Sequence, residues 1–310
     1  ALLAIIALSL WAVRPRFTPG QLWLLATVLL GPVTCLEPLR QNFHFGQINL
    51  VLDLAILADV LLVLRVRSRV VPRGILVGIA AAVKLIPLVF VLYFVVTRQF
   101  RAAATAVATF VACTLIGAAC NPHESWLFWT KYAYDAKRVG GVFYVSNQSI
   151  RGALERLSSE VLGAGLLTIV SALALVAGIA LARWAAVRSS ALLAFLVTAA
   201  TGMLVSPITW THHFVWVIPM LAWLWLADDR PRFGAAWAAL GVLVLWAGPM
   251  WLVPSYGDTE LHESALALLE SNAYFYLLVV FLGGIAVMLA ARTRRARRET
   301  LELAPLQAPV

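Results

Sequence analysis

Gly74-Ile75-Leu76-Val77-Gly78-Ile79-Ala80-Ala81-Ala82-Val83-Lys84-Leu85-Ile86-Pro87 is the stretch that decides how this chain is built. With the apolar residues that follow, 74–97 is long enough for one bilayer crossing, which takes about 20 residues. Two features argue against a single crossing. Pro87 lacks a backbone donor and clashes with the preceding turn, and a lysine near mid-membrane is costly without a partner such as Asp53 or Asp59. A single crossing would also separate Arg65, Arg67, Arg69 and Arg73 from Arg98 and Arg101, against the tendency of basic loops to share the cytoplasmic side. Two half-length helices that rise from the basic side, break at Lys84 to Pro87 and return satisfy both constraints. Lys84 then stands at the tip of a hairpin.

Outward from this hairpin, the chain of 310 residues as a whole is 62% hydrophobic and 13% charged, with a mean hydropathy of +0.88. Soluble domains carry about 25% charged residues, so the composition predicts an all-α, polytopic integral membrane protein. Further spans are expected at 1–13, 21–36, 48–64, 102–120, 161–182, 189–206, 210–227, 234–253 and 273–291. Residues 1–291 form the expected membrane domain, and 292–310 a basic, then flexible, cytoplasmic tail. The net charge of +9 lies in arginine-rich loops rather than in a nucleic-acid footprint. The odd number of cysteines, all in apolar stretches, excludes a disulfide framework. The chain opens inside an apolar run without an initiator methionine, so an N-terminal segment is expected to be missing.

With the hairpin in place, every basic loop falls on one side. The opposite, extracytoplasmic side collects Glu37, Arg40, Gln41, Asn42, His44, Gln47 and Asn49, and the long loop 121–160. It also takes Trp210 to His213 and the acidic loop with Asp258, Glu260, His262 and Glu263. All five histidines lie there. Carriers hold their polar groups near the midplane in paired broken helices; polar groups gathered at one membrane surface suit chemistry on a lipid-linked substrate. In the loop 121–160, aromatic residues interleave with Lys131, Asp135, Lys137, Arg138 and Arg151, a composition for gripping an anionic headgroup.

From residue types alone, Lys84, Arg151, His212 and His213 are expected at a lipid phosphate, where fixed cations act strongly in a low dielectric. His44, Gln47, Asn49, Asn147 and Gln148 are expected at sugar or headgroup hydroxyls. Adjacent histidines lack the i,i+4 spacing of a metal pair, so no metal is expected. The sequence has no Gly-rich nucleotide loop, no Walker sequence and no nucleophile elbow, which disfavours nucleotide sugars and ATP.

In combination, Pro38, Gly46-Gln47-Ile48-Asn49, Gly78 to Lys84-x-x-Pro87, Asn147-Gln148-Ser149 and Ser206-Pro207 to His212-His213 resemble glycosyltransferase family 87, over about 21–291. These are actinobacterial polyprenyl-phosphate-mannose-dependent mannosyltransferases with the GT-C architecture. The resemblance implies inverting transfer of mannose, outside the plasma membrane, from polyprenyl monophosphomannose to a phosphatidylinositol mannoside or lipomannan. The expected linkage is alpha-1,2. It implies a metal-independent site without a cofactor, membrane lipids and no nucleic acid as partners, a monomer, and an aspartate base in the first outer loop, which would lie upstream of residue 1, with Asp135 as the in-chain alternative. An arabinosyltransferase using the same type of donor, and a lipid flippase or transporter without chemistry, remain open.

Overall fold

The computed structural model describes residues 1–14, 16–65, 72–157 and 163–303. Much of the Arg65 to Arg73 loop, part of the 121–160 loop, the first residues of the 161–182 span and the end of the tail lie outside them. Fifteen α-helices follow in order: α1 (Leu2–Val13), α2 (Pro19–Thr34), α3 (Glu37–His44), α4 (Asn49–Arg65), α5 (Ile75–Val83), α6 (Val89–Val96), α7 (Phe100–Cys120) and α8 (Pro122–Thr130). Then come α9 (Ile150–Leu157), α10 (Ala164–Arg188), α11 (Ala191–Val205), α12 (Val217–Leu226), α13 (Gly234–Ala247), α14 (Ala265–Ser271) and α15 (Ala273–Leu303). Among the described residues four helices are long and apolar enough to cross a membrane: Phe100–Cys120, Gly165–Arg188, Gly234–Leu252 and Ala273–Arg298. Shorter apolar helices, Leu2–Val13, Ile86–Val96, Ala191–Val205 and Thr211–Leu226, complete the bundle. The protein is an all-helical, multi-pass membrane protein.

The expected hairpin is present. α5 ends at Lys84, whose backbone is extended (φ −139°, ψ 136°), and a single 3-10 turn, Ile86–Leu88, leads into α6. Both ends of the hairpin lie at the same level. Arg73, just before α5, donates to the side chain of Gln99 and to the Val60 carbonyl at 2.8 Å, and its guanidinium lies 5.3 Å from the centre of the Phe94 ring. α5 needs the field of another helix to start. The Asp59 carboxylate on α4 accepts from the backbone N–H of Gly74 (2.8 Å) and Val77 (3.0 Å), capping its first turn. Gly74 has φ +101°, and a Cβ there would run into the Ala102 carbonyl of α7. Asp59 is thereby committed about ten residues of helix away from Lys84, leaving Asp53 as the carboxylate near that lysine.

The same sidedness recurs across the bundle. At the arginine-rich end, Arg14 pairs with Asp228 at 2.6 Å, and Asp229 accepts from Ser189, Ser190 and Trp223. Arg292 donates there to the Asp229 carbonyl at 2.9 Å, and Arg183 to the Val96 carbonyl at 3.0 Å. At the opposite end the chain turns sharply: α2 and α3 meet at 81° across Cys35 and Leu36, with Pro38 in the first turn of α3. α3 is thus a separate short helix against the 3-10 turn Thr211–Trp216. α8 has no buried residue and exposes Trp126, in keeping with an interfacial helix.

Candidate functional site at the hairpin tip

The polar residues of the far end divide into those that line a pocket and those that build it. Lys84 Nζ donates to Asn49 Oδ1 at 2.6 Å and lies 3.4 Å from His213 Nε2. Asp53, one turn below Asn49, lines the same pocket, with Pro87, Phe90, Met203 and Trp216 as apolar walls. The cavity is ≈ 40 Å³, room for about three waters; a phosphate group, not a sugar ring, is on that scale. A lysine at a helix break, rather than within a helix, brings its ammonium into this space without snorkelling to the surface.

The histidines are placed through their backbone. Asn42 Nδ2 and Asn49 Nδ2 both donate to the His212 carbonyl, at 2.6 and 2.9 Å. Asn49 therefore joins the two halves of the site, accepting from Lys84 with one atom and holding His212 with the other. The rings of His44, Phe45, His212 and His213 follow one another edge to face, with centroids 5.0, 5.6 and 4.7 Å apart. His44 and Phe45 are exposed, so this row leads from the surface to Lys84. Nδ1 of both His212 and His213 is buried without a hydrogen-bond partner among the described residues.

Asn147 and Gln148, expected at sugar hydroxyls, are fully buried. Asn147 Oδ1 accepts from Thr209 N (2.9 Å) and Ser149 N (3.2 Å), and its Nδ2 donates to Val142 O and Pro207 O. Gln148 donates to Val145 O and Ser271 O, and accepts from the N–H of Tyr274 and Phe275. Every polar atom of both amides is used internally. Together with the Asn147–Trp210 bridge and the Gln148 N to Thr209 O bond of 2.8 Å, they fix the segment that delivers His212 and His213. The structure places neither residue in the lining of the Lys84 pocket; both lie in the segment that shapes it.

Arg151 is not brought to Lys84: its Nε donates to Glu155 at 2.9 Å on α9, away from the pocket lining. Asp135 is exposed between two 3-10 turns and does not line the pocket. Gln47 sits at the rim after α3, half-buried, its N–H bonded to the Asn42 carbonyl. Among the described residues no three His, Cys, Asp or Glu side chains are grouped to hold a metal ion.

Two residues that support the site give no sign of this in the sequence. Glu37, 2% exposed, accepts from Trp251 Nε1 at 2.7 Å and Tyr274 OH at 2.9 Å, tying α3 to α15. Arg156, also 2% exposed, donates to Phe143 O, Tyr144 O, Asn147 O and Asn272 Oδ1 at 2.7–3.0 Å. Burial lowers its guanidinium to about 10, with Glu263 and Glu260 acting in the opposite direction. Burial likewise raises Glu263, against its bond from Ser271. A glutamate after an apolar span and an arginine in a short amphipathic helix both read as surface charge; only the turns around them show otherwise.

A bundle of apolar helices with Lys84, Asp53 and His213 around a small pocket at one end defines a multi-pass membrane protein that holds a lysine in a mostly apolar cleft. The chain belongs to glycosyltransferase family 87, whose family model matches residues 1–207. It is 35% identical over 285 residues, 87% of this chain and 62% of the relative, to a polyprenol-phosphate-mannose-dependent alpha-(1-2)-phosphatidylinositol mannoside mannosyltransferase of Mycolicibacterium smegmatis. A protein of the same description from Mycobacterium tuberculosis is 33% identical over 92% of this chain and 66% of its own length. A third, described as acting on phosphatidylinositol pentamannoside, also from Mycobacterium tuberculosis, is 39% identical over 70% of this chain and 50% of its own. The chain thus spans less than two thirds of the length of the curated relatives it matches. No solved structure matches it.

Proposed function

We propose that this chain is the donor-phosphate-binding part of a mannosyltransferase that moves mannose from polyprenyl monophosphomannose to a mannosylated phosphatidylinositol or lipomannan. The acceptor hydroxyl oxygen bonds to the anomeric carbon as the bond from that carbon to the phosphate oxygen breaks. The electron pair leaves on polyprenyl phosphate, and the hydroxyl proton passes to a general-base carboxylate; Asp135 does not line the Lys84 pocket. Attack opposite a beta-linked donor gives the alpha product, here an alpha-1,2 linkage. The observation that carries this reading is the Lys84 ammonium at the hairpin tip with His213 3.4 Å away. In the transfer a phosphodiester with one negative charge becomes a monoester approaching two, so a fixed cation there favours the transition state over the bound donor. The relatives' descriptions support the donor and the acceptor class. Metal ions are not needed for this scheme.

Membranes containing the full-length protein, given radiolabelled polyprenyl monophosphomannose, are expected to transfer label to a mannosylated phosphatidylinositol. Label found in no mannoside lipid overturns the reading.

We further propose that the hairpin tip faces outward from the plasma membrane and the arginine-rich end faces the cytoplasm. In a cysteine-free background, a cysteine at Glu124 should react with an impermeant maleimide on intact cells, and one at Arg232 only after permeabilisation. Both positions are exposed and lie at opposite ends of the bundle. Labelling of both on intact cells would overturn the orientation.

A further inference from the structure

A large apolar hollow lies on the other side of α11 from the Lys84 pocket. It is an open groove of ≈ 690 Å³ between α10, α11 and α15, roofed at the far end by Ile150 and Leu154 of α9. That volume falls within the range of about 300–1,000 Å³ typical of ligand sites. From Val170 to Trp184 it follows α10 for roughly 21 Å at 1.5 Å per residue, more than half the hydrocarbon thickness of about 30 Å. Its floor is shallow-sided because small residues line it, Ala174, Ala177, Gly178 and Ala286 among them. Gly178 lets α10 close onto α11: a Cβ there would overlap the Thr201 side chain. The lining carries no charge, and an arginine stands just outside it in sequence on α9. Arg151 follows Ile150 directly, its side chain is 29% exposed, and only its Nε is engaged, by Glu155. The terminal guanidinium nitrogens have no hydrogen-bond partner among the described residues.

A hydrocarbon groove that ends beside a partly free guanidinium matches a lipid with a straight chain and an anionic phosphodiester headgroup. Which lipid it takes follows from the wall between the two sites. Met203 of α11 faces the Lys84 pocket, while Thr201, Leu204 and Val205 face the groove. Above them, the paired segments around Asn147 and Trp210 close the far end. The groove and the Lys84 pocket thus draw on different faces of α11. We propose that the groove and Arg151 seat an acyl chain and the phosphodiester of the phosphatidylinositol-type acceptor, so donor and acceptor lipids approach from opposite faces of α11. This inference rests on the function proposed above for the choice of acceptor. In a bilayer the groove gains little from hydrophobic transfer, since lipid tails are as apolar as its walls; what it gains is packing contact and a fixed orientation of the acceptor. Arg151, expected from its residue type at the donor phosphate, takes the acceptor's phosphodiester instead.

The test uses the full-length protein in phosphatidylcholine nanodiscs and a diacyl phosphatidylinositol probe with a diazirine in one acyl chain. After irradiation, crosslinks should map to α10 and α15 peptides that line the groove. They should be lost in Ala177→Trp, which fills the groove, and fall about tenfold in Arg151→Gln. A phosphatidylcholine probe with the same chains should label the groove weakly, and a polyprenyl phosphate probe should not label it. Labelling spread over all lipid-facing helices and insensitive to Ala177→Trp would overturn the proposal. So would equal labelling by phosphatidylcholine, or labelling by the polyprenyl probe. Because crosslinking requires no turnover, it reads the groove even if mannosyl transfer fails, and transfer can proceed with the groove proposal refuted.

Discussion

Lys84→Ala is expected to lower kcat/KM for the polyprenyl donor by about 10²–10³-fold, the usual cost of removing one preorganised donor to a developing oxyanion. Most of the loss should fall on kcat. The donor phosphate carries one negative charge when bound and approaches two as it leaves, so the ammonium contributes more to the transition state than to the complex. Lys84→Arg should recover only part of the activity. Its planar fork is longer than the ammonium it replaces, and the tip is already confined by Asn49 at 2.6 Å and His213 at 3.4 Å. Insertion and the thermal unfolding midpoint in nanodiscs should change little, because the hairpin is anchored at its other end by Asp59 and Arg73. Steady-state kinetics of Lys84→Ala equal to those of the unaltered protein would remove the lysine from the phosphate site.

The hairpin was legible because two independent constraints met on one stretch. Arginine counts demanded that 65–73 and 98–101 share a side, and Lys84 with Pro87 supplied a break between them. Neither constraint alone would have chosen re-entry over a crossing. The sharp bend between α2 and α3 was only half legible: Pro38 announces the start of a new helix, but nothing in Cys35-Leu36 tells how far the chain turns. Lys84, Asn49, His212 and His213, singled out by residue type, are brought together by the fold. Placement is not legible where residue type suggests exposure. Asn147 and Gln148 look like sugar-binding amides, yet a buried amide with four backbone partners has the same one-letter sequence as an exposed one. The difference lies in the carbonyls of Pro207 and Ser271, 60 and 123 residues distant along the chain. Arg151 and Arg156 show the same limit within one helix turn, one half-exposed beside a groove and the other sealed among carbonyls.

Arg156→Met should have the largest effect on stability. The guanidinium serves four acceptors on two segments, Phe143 to Asn147 and Asn272. Methionine replaces the aliphatic stem, stops short of the guanidinium and satisfies none of them. Each buried acceptor left without a donor costs about 1–3 kcal/mol, and removing one partner of a buried charged network costs about 3–5 kcal/mol. A loss of about 3–5 kcal/mol is therefore expected, read as a fall in the unfolding midpoint in nanodiscs. Arg156→Lys keeps the charge but cannot reach both segments at once, so an intermediate loss is expected. Part of the cost is electrostatic. Glu260 is 1% exposed, one of its oxygens has no hydrogen-bond partner among the described residues, and Arg156 is a cation in its field. Once that cation is gone the Glu260 carboxylate is a buried charge without compensation, so Glu260→Gln should cost less in the Arg156→Met background than alone. A double-mutant cycle that is non-additive by about 1 kcal/mol or more is the expected result. Strict additivity would show that Arg156 acts only through its carbonyl bonds, and an unchanged midpoint in Arg156→Met would show that the loops before His212 are held by other means.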